Sequence, residues 1–252
     1  MPRFLGPAVA LVVTLLATGC EQPPQVVGGK ARPAGEVVKS AVSLSPSTTE
    51  IVGSLNPSGL LKGRTESDDY PMNVGRAVIV AGVKPDYEKI TELKPDLVVY
   101  DTTLYNAQDI EKIKSLGFRT YEFTAANIDD FLTELLRLGA TVGAETAASE
   151  YVDRIVRARN SGTADALDPR PKVAVVLPGN GTEHMVNGTR SFLSEVIRSS
   201  GGEPVGPDAD RFVNLSPELL IAQNPDRIVI AAPTDPDKEK TRAMGEQRAR
   251  QI

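Results

Sequence analysis

The sequence predicts an α/β protein built as two Rossmann-like α/β lobes joined by one long helix, the second lobe truncated. Three observations predict it. Short apolar, β-branched runs alternate with helical patterns, which is the signature of a parallel sheet with crossover helices. A helical stretch from about Glu145 to Ala166 interrupts that alternation near the middle of the chain. And one pattern occurs twice: Glu88 is followed by Pro95-Asp96 and Val98-Val99, and Glu218 by Pro225-Asp226 and Ile228-Val229, at identical offsets 130 residues apart.

The 252 residues are enough for one large or two small α/β domains. Lys and Arg number 28 against 33 Asp and Glu, a net charge of -5. That balance argues against a general nucleic-acid binder, which needs a basic face to release counterions. One Cys excludes a disulfide framework within the chain, and one His argues against a His-rich metal site. No cofactor and no metal are expected. No apolar run reaches the ~20 residues that span a bilayer.

The elements follow in order. Arg3 is the only charge before Glu21, and Phe4–Ala17 is apolar but only 14 residues long. Leu16-Ala17-Thr18-Gly19-Cys20 then places small residues before the sole Cys. Residues 1–19 resemble a bacterial lipoprotein signal, which implies cleavage before Cys20 and lipidation of its thiol. The processed chain carries 27 basic and 33 acidic residues. Residues 20–36, rich in Pro, Gly and Gln, read as a flexible tether. Residues 37–126 form the first lobe. Ala41–Leu44 reads as a strand, Ser45–Glu50 as a helix start, and Ile51, Val52 and Leu55 as its apolar face. Ala77–Val80, Leu97–Tyr100 and Arg119–Phe123 are further strands, the last after a helix at Ala107–Leu116 that Gly117 ends.

Residues 127–171 are helical. Phe131, Leu132, Leu135, Leu136 and Leu138 give one amphipathic helix, and Tyr151, Val152, Ile155 and Val156 mark a second. About 22 residues at 1.5 Å each span ~33 Å, the width of a domain. Residues 172–252 form the second lobe, opening on the strand Val173–Leu177. After Ile230 only 22 residues remain, mostly polar, with one charged helix expected at Lys238–Ile252. The second lobe therefore reads as incomplete, with an uncovered sheet edge.

Several tempting motifs carry nothing. Gly179-Asn180-Gly181 follows a strand but lacks the third Gly or the Gly-Lys-Ser/Thr of a nucleotide loop. There is no Gly-x-Ser-x-Gly elbow, and no convergent catalytic set, so no enzyme is expected. Asn180-Gly181-Thr182 fits a glycosylation acceptor that a bacterial lipoprotein would leave unused.

The motifs Leu44-Ser45-Pro46-Ser47-Thr48-Thr49-Glu50, Asp69-Tyr70-Pro71, Glu88-Lys89-Ile90 with Leu93-Lys94-Pro95-Asp96-Leu97-Val98, and Gly201-Gly202 through Ser216-Pro217-Glu218 occur in that order. From about Val42 to Ile230 the chain resembles the helical-hinge (class III) substrate-binding proteins of ABC importers, which capture cobalamin, ferric siderophores or haem. Asp69-Tyr70-Pro71 tilts the resemblance toward the vitamin B12-binding branch. The resemblance implies a lipid-anchored, extracytoplasmic protein that takes a corrinoid between its lobes and delivers it to a permease dimer. Ferric-siderophore or haem binding, or a sensory lipoprotein, stay open.

It also implies roles. Glu88 and Glu218, each in the first turn of a helix, would dock into arginine pockets of the two permease subunits, since a carboxylate accepts bidentate Arg bonds. Ser47, Thr48, Asp69, Tyr70 and Asp101 in the first lobe, and Gly179, Asn180, His184 and Phe212 in the second, would line the ligand cleft. The helix start near Thr48 offers free N–H groups. Tyr70 and Phe212 offer flat apolar faces, and His184 a hydrogen-bonding group at the rim. Where cobalamin-binding members set tryptophans against the corrin, this chain has Asp101 and Phe212 and no Trp.

Overall fold

A computed structural model describes residues 38–55, 59–71, 74–101, 104–164, 166–179, 184–231 and the positions Ala243 and Glu246. The expectations for residues 1–36, including Cys20, for Asn180 and for most of the segment after Ala231 lie outside the described residues.

The first sheet is wholly parallel. β1 (Ala41–Ser43) leads into α1 (Pro46–Leu55), β2 (Leu61–Thr65), β3 (Val78–Ala81), α2 (Tyr87–Leu93), β4 (Leu97–Tyr100), α3 (Ala107–Ser115) and β5 (Thr120–Glu122). The strand order is β3-β2-β1-β4-β5. Every residue of β1 and of β4 is buried, because the sheet has apolar cover on both faces. On one face Ile51, Val52, Leu97, Val99, Leu135 and Leu138 form a core. On the other, Val42, Leu44, Val80, Ile90, Val98 and Ile113 form a second.

β2 was not expected from its sequence, Leu-Lys-Gly-Arg-Thr. Its register explains it. Gly63 pairs with Val42 and Val78, and a Cβ there would come within 2.8 Å of Val42 Cγ2 and 3.0 Å of Val80 Cγ1. Neighbouring strands fill the space that a side chain of β2 would take, so the strand shows little apolar signal.

α4 (Ile128–Val142) and α5 (Glu145–Ala164) pack against each other and against the first core. α4 buries Ile128, Leu132, Leu135 and Leu138, whereas Leu136, expected on the apolar face, is 42% exposed because it points one residue off the stripe. α5 has 20 residues, ~30 Å. Its first half packs Tyr151, Val152 and Ile155 on the first lobe. Its end meets the second lobe backbone to backbone: a Cβ on Gly162 would sit 2.5 Å from Ser199 O, and one on Gly201 3.0 Å from Gly162 O.

The second sheet comprises β6 (Lys172–Leu177), β7 (His184–Asn187), β8 (Glu203–Pro204), β9 (Phe212–Leu215) and β10 (Arg227–Ile230), with α6 (Phe192–Ser199) between β7 and β8 and α7 (Pro217–Ala222) between β9 and β10. Its order is β10-β6-β7-β9, with β8 beside the start of β6. This sheet is mixed, a correction to the expected close repeat of the first. β10 and β8 run parallel to β6, but β7 is antiparallel to β6 and β9 to β7. The connection from Leu177 to His184 is of hairpin length, which permits only an antiparallel neighbour. Among the described residues the core here is Ala174, Val176, Val186 and Leu220.

The twofold pattern has a structural meaning. Asp96 accepts from the N–H groups of Lys39 and Ser40 (2.9 and 3.1 Å), ahead of β1. Asp226 accepts from Lys172 N at 2.8 Å, at the start of β6. In both lobes the residue before the Pro is left-handed, Lys94 at φ 46 and Asn224 at φ 49. Each Pro-Asp pair thus ends a helix and ties its strand to the parallel neighbour, β4 to β1 and β10 to β6.

Candidate functional site

The site builds from the C-terminal ends of the first sheet. Strand order reverses between β1 and β4, with β2 and β3 to one side and β5 to the other. In open α/β sheets a crevice forms where order reverses, outside the carboxyl ends of the strands. Ser47, after β1, donates from Oγ to Asp101 Oδ2, after β4, at 2.9 Å. That bond spans the reversal. Ser47 is exposed and Asp101 half-buried.

Beneath them lies a chain of hydroxyls. Thr48 Oγ1 is 2.6 Å from Ser43 Oγ and 2.8 Å from Ser45 Oγ, and Ser45 Oγ is 3.0 Å from Ser47 Oγ. Ser45 caps α1: its Oγ accepts from Thr48 N at 3.2 Å, and its carbonyl accepts from Thr49 N. Pro46, the first helical residue, has no N–H to satisfy. The side chain of Thr48 is fully buried and its N–H is taken, so it holds the loop that presents Ser47.

The loop after β2 divides by role. Asp68 is buried and accepts from Thr49 Oγ1 (2.6 Å), Thr65 N (2.8 Å) and Thr65 Oγ1, fastening α1 to β2. Asp69 and Tyr70 are exposed, Tyr70 by 54%. Pro71, joined to Tyr70 by a cis peptide bond, sits against Gly53 of α1, where a Cβ would lie 2.7 Å from Pro71 Cγ. Pro71 takes the packing role and leaves the Tyr70 ring free.

Two apolar side chains at this end were missed. Val83, in the turn after β3, is 91% exposed, and Leu104, after β4, is 54% exposed. Tyr105 Oη donates to Gly82 O at 3.2 Å, tying the two loops together. Burial first, then the carboxylates of Asp68, Asp101, Asp109 and Glu66, push the Tyr105 phenol up to about 12, so it stays a donor. No sequence signal set Val83 apart, since Ile79, Val80 and Ala81 stand just before it at helical and strand spacing and make it read as part of the same apolar run.

In the second lobe Gly179 N donates to His184 Nδ1 at 3.3 Å. His184 is not at a rim: it is 1% exposed, and its Nε2 is buried without a hydrogen-bond partner. The register accounts for the correction. His184 opens β7 two residues before Val186, which faces Val176 and the Leu220 core, and residues two apart share a sheet face. Phe212 pairs with Asn187 and points to the opposite face from Leu215; it is half-buried.

Glu88 and Glu218 each occupy the second residue of a helix, α2 and α7, and both are exposed. Asp86 caps α2 by accepting from Lys89 N at 3.1 Å. Ser216 occupies the equivalent place before α7, where its hydroxyl holds the Glu218 carboxyl below the usual carboxylate range. Both carboxylates sit where a helix N-terminus favours negative charge. No group of three or more His, Cys, Asp or Glu among the described residues could hold a metal ion.

Comparison with known proteins gives the frame. A cobalamin-binding protein of Halobacterium salinarum is 26% identical over 205 residues, 77% of this chain. This chain spans about half of that relative's length, 54%. An ABC transporter substrate-binding lipoprotein of Bacillus subtilis is 24% identical over 249 residues, covering 88% of this chain and 78% of its own. The crystal structure of the periplasmic vitamin B12 binding protein of Vibrio cholerae superposes with a TM-score of 0.68 at 21% identity, covering 85% of this chain and 82% of that one. A periplasmic haem binding protein of Pseudomonas aeruginosa has the same fold, with a TM-score of 0.69 at 18% identity over 84% of this chain and 80% of that one. The periplasmic binding protein family matches residues 42–249, and the chain belongs to it.

Proposed function

We propose that this protein is the extracytoplasmic, lipid-anchored binding component of an ABC importer, taking a corrinoid between its two lobes and handing it to a permease dimer. The family match over residues 42–249 carries the reading. The relatives named for cobalamin or vitamin B12 favour a corrinoid over other ligands. The exposed first-lobe residues Ser47, Asp69, Tyr70, Val83 and Leu104 combine hydrogen-bonding groups with apolar surface, which suits a macrocycle with amide arms. Asp101 positions Ser47 through their hydrogen bond. Phe212 and Gly179 supply the second wall. Glu88 and Glu218, matched in helix position and exposure, are the permease contacts, and two equivalent contacts suit a twofold transporter.

The test is thermal unfolding of the purified chain with cyanocobalamin, haemin or a ferric siderophore. At ~100 times its dissociation constant the true ligand adds about 2.7 kcal/mol of stability. Cyanocobalamin is expected to raise the melting temperature and the others to leave it in place. A shift with haemin or the siderophore alone would replace the corrinoid, and no shift with any of the three would remove this ligand class. Docking is tested separately: Glu88→Arg with Glu218→Arg should abolish uptake while cyanocobalamin affinity is retained, and surviving uptake would refute it.

A further inference from the structure

The two lobes touch through more than α5. α4 starts just beyond the C-terminal end of β5, and its first N–H groups have no partner within the helix. Asn127 caps the helix, its Oδ1 accepting from Asp130 N at 2.7 Å, and its Nδ2 donates to Asp130 Oδ2 at 2.8 Å. Ile128 N is served from the other lobe. It donates to Glu195 Oε2 of α6 at 2.8 Å, across 67 residues of sequence. Glu195 itself lies in the first turn of α6, behind the Ser191 cap, so its position is fixed by a helix that begins directly after β7.

Two further contacts surround that bond. Phe123, Phe131 and Phe192 form a row, with centroids 5.4 Å apart for the first pair and 6.2 Å for the second. The row runs from the end of β5 through α4 to α6. Arg159 of α5 pairs with Asp129 at 2.7 Å, placing a positive charge beside Asp129 and Asp130 at the same helix start. That charge offsets the repulsion that a third carboxylate, Glu195, meets there. Helix starts from both lobes and the connecting helix therefore meet in one knot of bonded groups.

We propose that Glu195 is a positioning residue that fixes the angle between the lobes, by capping α4 of the first lobe from α6 of the second. A helix clamped at both ends can still bend or twist along ~30 Å. The Glu195–Ile128 bond and the Phe131–Phe192 contact join the lobes through residues outside α5, so a change in the angle between the lobes has to distort them. While it holds, the lobes keep one separation with or without ligand. The inference concerns the two-lobe frame and does not depend on which ligand binds.

The experiment is a pulsed electron-spin distance measurement on the full chain in a Cys20→Ser background, with spin labels at Glu92→Cys and Ala222→Cys, one exposed site in each lobe. No ligand is present, so the outcome is separate from that of the cyanocobalamin test. The parent should give one narrow distance distribution. Glu195→Ala should widen it and move its mean, with a cooperative melt retained. Glu195→Gln keeps an oxygen acceptor for Ile128 N and should restore the parent distribution. Phe192→Leu, which removes the ring contact but keeps apolar volume, should widen it as well and serves if Glu195→Ala does not fold. A parent-like distribution in a folded Glu195→Ala or Phe192→Leu chain would overturn the proposal, as would equal widening in Glu195→Ala and Glu195→Gln.

Discussion

The two lobes start their strands in the same way and finish their sheets differently. In both, a left-handed residue, a proline and an aspartate end a helix, and the aspartate binds the backbone at the start of the neighbouring parallel strand. Yet β4 is buried throughout, while β10 exposes Ile228 by 42% and Val229 by 51%. The local code is identical; the cover is not. In the first lobe helices and loops close both faces, whereas among the described residues β10 and α7 border an open apolar groove of about 420 Å³ lined by Leu220, Ile221, Ile228 and Ile230. A short local motif can therefore set strand direction and pairing without setting how much the strand contributes to stability.

The largest test of that contrast is truncation of one apolar residue in each of the two strands. Leu97→Ala in β4 removes a fully buried side chain, and about 2–5 kcal/mol of stability should go with it. Ile228→Ala in β10 should cost less than about 1 kcal/mol, since its side chain is already partly in water. Chemical denaturation compares them, and equal losses would show that β10 is covered in solution. The second test removes the shared device. Asp96→Ala leaves the Lys39 and Ser40 N–H groups and the Ser40 hydroxyl without their acceptor, a loss of about 2 kcal/mol, against about 1 kcal/mol for Asp226→Ala, which frees the Lys172 N–H. A larger effect at Asp226 would invert the comparison.

The smallest effect is in alkaline solution. All six tyrosines precede residue 152. Burial and the Glu122 carboxylate push the Tyr100 phenol up to about 12, and burial with the Asp109 hydrogen bond does the same for Tyr87. Raised values favour the protonated phenol in the folded chain. The stabilisation is complete below the unfolded value near 10 and is lost as pH rises from there through about 12. Proteolysis at rising pH should therefore cut first within residues 38–126. First cuts within 172–231 would show that the second lobe is limiting.

Much of the frame was legible because apolar runs announce themselves. Ala41–Leu44, Leu97–Tyr100 and Val173–Leu177 read as strands, and Ala107–Leu116 as a helix, within a residue or so of where they lie. β2 was hidden because Gly63 yields its space to Val42 and Val80. β7 and β9 were hidden because His184, Asn187 and Asn214 break the apolar alternation while serving buried bonds or exposed faces. In the candidate site, residues fixed by local rules were readable: Glu88 and Glu218 follow helix-start signals. Thr48 and His184 were not, since residue type says nothing of whether a polar group meets solvent or turns inward to a neighbouring loop. Val83 and Leu104 acquire meaning only when the Tyr105–Gly82 bond draws their loops to one end of the sheet.

The seam between Gly162 and Gly201 has one more consequence. There, main chain rests on main chain, with Ser199 O and Gly162 O occupying the space of any added methyl. Such a joint behaves as a bearing without clearance. A methyl at either glycine would act as a wedge near the fulcrum, and the distant strands of the second lobe would swing through a longer arc than the wedge is thick. A substitution at this pivot would therefore work against the Glu195–Ile128 bond that holds the lobes, while leaving every candidate binding residue chemically unchanged.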